Sequence, residues 1–525
     1  MSLCGGWKHA PRALCHWKAI DVHASSLVDS PGAALSSALV PPTDGPCVEV
    51  VDASTGRIVH RVTEYGTKEV DDLIASVAGA AHRWRGLAAF ARTEALLRWA
   101  RELTDRREEL AEFVARETGA LRAEAALDVD RAVDCIRYCA GLVGKVDGRV
   151  LAGVPGHFGH TVREPYGVVG GVAARNSALS TFAWQAAPAL AAGNGFVLHA
   201  HAEAPLGPLL TARLAEASGI DALAAFTGPE SLSTHLAGHR SVGMLAYAGP
   251  ADTGRKVIRA SAGPIAPLTL NLASGNSAFV LPSADLAAAV PSVLHSRFSC
   301  AGQNWFGVSH VYVHASLYEE FVTRAAALAR RITVGPALDP GALMGPLPSE
   351  TACERLAEAV AKGVSEGAEV HAGGRRVPGL EGGGYYEPTV VTDAGPANPL
   401  RTEPVAGPVL TVSPYTDADA AAAEANATRS GGIAQVWGRD AGAVKELADR
   451  LDVGTVWINT HDALSPEIAT TAWRESGHGT AGGPDALDAC TRTKMIMWDV
   501  TPLAGRVPAF TKIATRTDSE GSRNA

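Results

Sequence analysis

The sequence predicts an α/β protein with two doubly wound parallel domains, and three observations carry that expectation. At 525 residues the chain is too long for one ordinary core, so two or three domains are the default. From residue 168, five short apolar runs alternate with helical ones, which calls for parallel strands joined by right-handed crossovers. A second alternating region opens at SAFVL (277–281). The first region has the doubly wound pattern of a nucleotide domain.

Taken in order, residues 1–45 are irregular, rich in Ala, Ser and Pro, and read as an extension. Thr67 is placed to cap a helix in TKEVDDLIASVAGAAHRW, where Val70, Leu73, Ile74, Val77, Ala81 and Trp84 recur on one face. TEALLRWARELTDRREELAEFVARETG reads as one amphipathic run ending at the C-cap Gly119. The first α/β region then has strands at 168–174, 196–200, 223–228, 243–249 and 268–273. Between them lie helices at 181–193, 205–218, about 230–238 and 252–262. The second region continues through strand 308–315, helices 317–332 and 352–367, strand 432–438, helix 441–451 and strand 455–460. The last residues, KIATRTDSEGSRNA, are polar and are expected to fray.

Composition narrows the function classes. The chain carries 46 basic and 55 acidic residues, a net charge of −9, with no dense Lys/Arg cluster. That argues against a nucleic-acid partner. Apolar stretches are interrupted before they could span a bilayer, so no membrane role is expected. The N-terminus has no apolar signal core. Eight cysteines include no C-x-x-C pair. They read as free thiols in a reducing cytoplasm, with no metal site.

The order of motifs resembles the aldehyde dehydrogenase superfamily over residues 47 to 500. The stretches that carry the resemblance include VVDASTGRIV, REPYGVVGGVAARN, FAWQAAPALAAGNGFVL, EPVAGPVLTV, GTVWINT and WRESGHG…CTRTK. The resemblance implies a dinucleotide-binding-type domain at 46–143 and 163–270, and a catalytic-type domain at 271–480. It implies a β oligomerisation arm from 144–162 and 481–510, with a tail at 511–525. It also implies a chemistry. A thiolate attacks an aldehyde, donors hold the oxyanion, a base activates water, and NAD or NADP takes the hydride.

Set against that pattern, the site residues depart. Where the resemblance implies the nucleophilic Cys, two residues after the Gly302-Gln303 turn, stands Trp305, expected to plug the pocket. Cys300, five residues upstream, would reach the substrate only if the loop refolded. Asn271 stands where the general base would be, and an amide takes no proton from water near neutral pH. Losing such a base alone costs about 10²–10⁴ in rate. Asn176 matches the oxyanion amide, but its neighbours Arg175, Ser177 and Ala178 do not match. As a turn residue after a strand it also suits a structural hydrogen bond.

The implied cofactor anchors change as well. His199 and Ala202 replace the Lys and Glu that face the adenine ribose, though His199 could still bond a hydroxyl or a phosphate. At the pyrophosphate turn Gly249 and Gly254 remain, but Pro250 offers neither N–H nor hydroxyl. The ribose carboxylate position falls on Pro404, with Glu403 one residue away. The Phe that packs there is Ala406.

These departures at one site favour a silent subunit that forms a homo- or hetero-oligomer, with an active aldehyde dehydrogenase paralogue as partner and weak or lost NAD(P) binding. The competing readings are a working NAD(P)-dependent enzyme that oxidises an aldehyde to a carboxylic acid, and a ligand-binding module that uses the residual cleft.

Overall fold

The structure is a computed structural model, and it describes residues 45–272, 275–403 and 405–501. Residues 1–44 of the expected extension, the arm beyond 501, the tail, Pro404 and the last residue of the expected 268–273 strand lie outside the described residues.

The alternation seen in the sequence becomes two parallel sheets. The first runs, in spatial order, Gly477–His478, Leu268–Leu272, Val242–Gly249, Val168–Val172, Gly195–Ala200 and Leu223–Thr227. Its five long strands are parallel, and only the edge pair Gly477–His478 is antiparallel. The strands of 168–172 and 195–200 are buried throughout, as near-continuous apolar runs require when helices cover both faces. Strand order reverses on either side of Val168–Val172. This is the switch point at which such sheets open a crevice beyond their carboxyl ends.

The second sheet has seven strands. From one edge they are Glu369–Ala372, Thr389–Thr392, Val409–Tyr415, Val308–His314, Asn276–Val280, Ile433–Trp437 and Thr455–Ile458. Only the first pairing is antiparallel. A third, antiparallel sheet pairs Val150–Leu151 and Thr491–Asp499 with His157–Pro165. It brings together the two segments expected to form the arm. The strand runs three residues past the expected boundary at 162, and the 477–478 pair crosses from the second region to edge the first sheet.

Two local expectations differ. The 93–119 run is two helices, Ala89–Asp105 and Arg107–Thr118, broken at Arg106 with φ −107° and ψ 18°. The break lets Trp99 donate to the Thr211 carbonyl while Leu110 and Val114 also enter the core. Gly119 does end the second helix, at φ 80°. Thr67 is the first helical residue rather than the cap. The cap is Gly66, whose N–H is taken by Glu69 Oε2 at 3.1 Å.

Candidate active-site cleft

A cleft of about 800 Å³, counting its open mouth, lies between one face of the first sheet and helix Ala178–Ala191. Period-2 alternation makes that face. Ala246 and Ala248 on one strand and Thr269 and Asn271 on the next point the same way, and their small side chains leave room. Trp184 on the helix and Trp305 and Phe306 from the second domain form aromatic walls.

The turn that delivers Trp305 is unusual backbone. Cys300, Ala301 and Gly302 are left-handed in succession, at φ 50°, 54° and 75°. A Cβ on Gly302 would lie 2.2 Å from Gly407, so only glycine fits there. Two consecutive non-glycine residues in this region cost about 1–2 kcal/mol each, so the turn needs ties from outside. Glu124 Oε1 accepts the Cys300 N–H at 2.8 Å. Asn176 Nδ2 donates to the Gln303 carbonyl. Arg175 Nη2 donates to Gln303 Oε1 at 2.7 Å, while its Nη1 pairs with Glu203 at 2.5 Å.

Each expected site residue can now be placed. Trp305 lines the cleft instead of closing it. Its ring packs on Phe306, 3.9 Å between centroids, and its backbone carbonyl accepts from Asn276 Nδ2 at 2.9 Å. Asn271 also lines the cleft. Its backbone pairs with Ala248 and Gly477, and its side-chain amide bonds no described residue. The Asn176 amide is engaged by the turn itself. Cys300 does not line the cleft. Burial, followed by the neighbouring Glu124, Asp128 and Asp462 carboxylates, pushes its thiol well above the ordinary range. One thiol does line the cleft, that of Cys490, and burial pushes it up to about 12. The six described cysteines are all free.

The expected cofactor residues are turned away. His199 is 4% exposed and stacks on Phe226 at 4.9 Å and 5°. Its Nδ1 meets Ser233 Oγ at 2.8 Å and its Nε2 the Gly228 carbonyl at 3.3 Å. Burial lowers its pKa to about 4, so the ring is neutral and its nitrogens are occupied. It offers a ribose or phosphate no bond in this arrangement. Gly249 and Gly254 serve packing, since a Cβ at either would lie 2.6 Å from Tyr247 or Leu272. Pro250 precedes helix Ala251–Ser261, and the Tyr247 hydroxyl donates to its carbonyl at 3.0 Å. Glu403 faces outward and pairs with Lys362 at 3.0 Å.

Sequence reasoning missed three groups. Trp184 shares a helix face with Ser180 and Pro188, and that spacing could have flagged it. Arg131 lines the cleft and pairs with Asp462 at 3.2 Å, a contact across more than 300 residues that no local signal carries. Glu230 accepts from Thr253 Oγ1 at 2.8 Å and pairs with Lys256 at 3.1 Å, which sets a carboxylate beside the start of helix Ala251–Ser261.

Two doubly wound domains with a cleft on one face of the first sheet define a dinucleotide-domain class of protein. The chain belongs to the aldehyde dehydrogenase family, whose family model matches residues 40–496. Solved relatives agree. PnpE from Pseudomonas sp. WBC-3 is 29% identical, covers 90% of this chain and 98% of its own, and superposes with a TM-score of 0.86. The NAD+ complex of aldehyde dehydrogenase from Bacillus cereus is 28% identical, over 88% and 95% of the two chains, with a TM-score of 0.85. Apo betaine aldehyde dehydrogenase from Staphylococcus aureus is 25% identical, over 90% and 96%, with a TM-score of 0.86.

Proposed function

We propose that this chain is a catalytically silent aldehyde dehydrogenase family protein that acts as a structural or regulatory partner subunit of an active aldehyde dehydrogenase. The observation that carries the reading is the turn at 299–305: it brings an indole to the cleft and leaves its own sulfur outside, behind carboxylates. A thiolate is the attacking species, and neither Cys300 nor Cys490 holds one near neutral pH. Asn271 supplies no base. NAD(P) binding is weak or lost on the same reading. His199 is occupied internally, Pro250 lacks an N–H, and Glu230 places negative charge beside the helix start where a phosphate would sit.

A partner role draws on the arm. Its strands expose Val150, Phe158, Met495, Met497 and Trp498, an apolar surface that favours burial against another subunit. Among the described residues no helix is long and apolar enough to cross a membrane, and the free cysteines suit the cytoplasm.

The test is direct. Purified protein incubated with NAD+ or NADP+ and a panel of aldehydes is expected to give no rise in nicotinamide absorbance. Co-expression with a Cys-bearing paralogue is expected to yield a heteromer. Robust turnover that is abolished by Cys300→Ser would overturn the silent reading. A second reading, an active NAD(P)-dependent oxidoreductase, draws on the surviving cleft and on NAD-bound relatives, among them a PnpE complex with nicotinamide adenine dinucleotide. The same assay decides between the two.

A further inference from the structure

We propose that the cleft binds a small uncharged aromatic primary amide, held by a paired hydrogen bond to Asn271. The proposal rests on the silent reading, because it gives the cleft a ligand the chain does not transform.

The free polar groups set the chemistry. Asn271 presents an N–H donor and a carbonyl acceptor side by side, and neither is used by a described residue. The indole N–H groups of Trp184 and Trp305 likewise bond no described residue, although both side chains line the cleft. A ligand that satisfies both halves of an amide needs a donor and an acceptor on one carbon. A primary amide has both. An aldehyde offers an acceptor alone and leaves the Asn271 carbonyl without a donor, a mismatch to which polar sites are sensitive.

Charge excludes the anionic relative. Among the described residues no Asp or Glu lines the cleft, and the one cation that does, Arg131, is already paired with Asp462. A carboxylate would therefore be desolvated with no free cation to meet it.

Shape supplies the ring. Trp184, Trp305 and Phe306 give flat walls, and Ala246 and Ala248 give a smooth floor. An aromatic ring fits this slot with its amide toward the strand that carries Asn271.

Benzamide is the probe, with benzoate and benzaldehyde as matched controls, read by calorimetry and tryptophan fluorescence on the full chain. The expected result is saturable benzamide binding, about 10-fold tighter than either control. The Asn271→Leu variant is expected to lose about 10-fold in affinity, as a lost paired hydrogen bond implies. Asn271→Gln, which keeps the amide, is expected to recover part of it, and circular dichroism checks that both variants fold. Equal or tighter binding of benzoate, no saturable binding of benzamide, or Asn271→Leu binding like the parent would each overturn the proposal. Failure of the silent reading looks different: it appears as nicotinamide reduction with an aldehyde, whether or not benzamide binds.

Discussion

The crest of the first sheet and the cleft beside it use their polar groups in opposite ways. At the crest the polar groups are consumed internally. His199 has both nitrogens bonded, and Arg175 bridges Glu203 to Gln303. In the cleft, Asn271 and the indoles of Trp184 and Trp305 bond no described residue. The difference teaches where the molecule spends its polarity. Groups at the crest hold shape, whereas Asn271 and the two indoles in the cleft remain available to something small.

The sharpest way to break the comparison is to delete one ring from each region. His199→Ala removes a buried stacked ring and leaves Ser233 without its partner, so a loss of about 3–5 kcal/mol is expected. Trp305→Ala, on a wall open to solvent, is expected to cost clearly less. Urea denaturation of both variants measures the gap, and equal losses would erase the distinction.

Acid gives the next largest effect. The folded His199 pKa, about 4, lies below its ordinary value of 6.5, so folding favours the neutral ring. That contribution is whole above pH 6.5 and is lost as pH falls toward 4. Its ceiling is about 3 kcal/mol. Stability measured from pH 7 to pH 4 should fall more steeply in the parent than in His199→Gln, and parallel slopes would count against the assigned burial.

The smallest effect sharpens the link between the regions. Arg175→Ala removes one tie on the left-handed turn, at an expected cost of about 1 kcal/mol. Its clearer signature is chemical. Cys300 is expected to react faster with iodoacetamide, followed by peptide mass spectrometry, because the turn that shelters it loosens. An unchanged rate would mean that Glu124 and Asn176 suffice.

Much of the scaffold was legible in the sequence. Alternating apolar strands and helices located the first sheet's five long strands along the chain, because side-chain periodicity is a local property. Gly119 was legible for the same reason, since a left-handed C-cap favours glycine wherever it occurs. The motif order also singled out Trp305 and Asn271, the two positions on which the proposed silent reading turns. The break at Arg106 was not legible, because the run is amphipathic on both sides and only packing on neighbouring helices divides it.

The sequence by itself determined the family, the two-domain alternation and the absence of a thiol at residue 305. The tertiary structure alone decided that His199 turns into the core, that Glu403 faces Lys362, that Cys300 sits behind Glu124, and that Trp305 lines the cleft without sealing it. Periodicity reports which face of an element is buried. The partner of a polar group is chosen by chains that meet across a hundred residues or more, and only the packed molecule holds that choice.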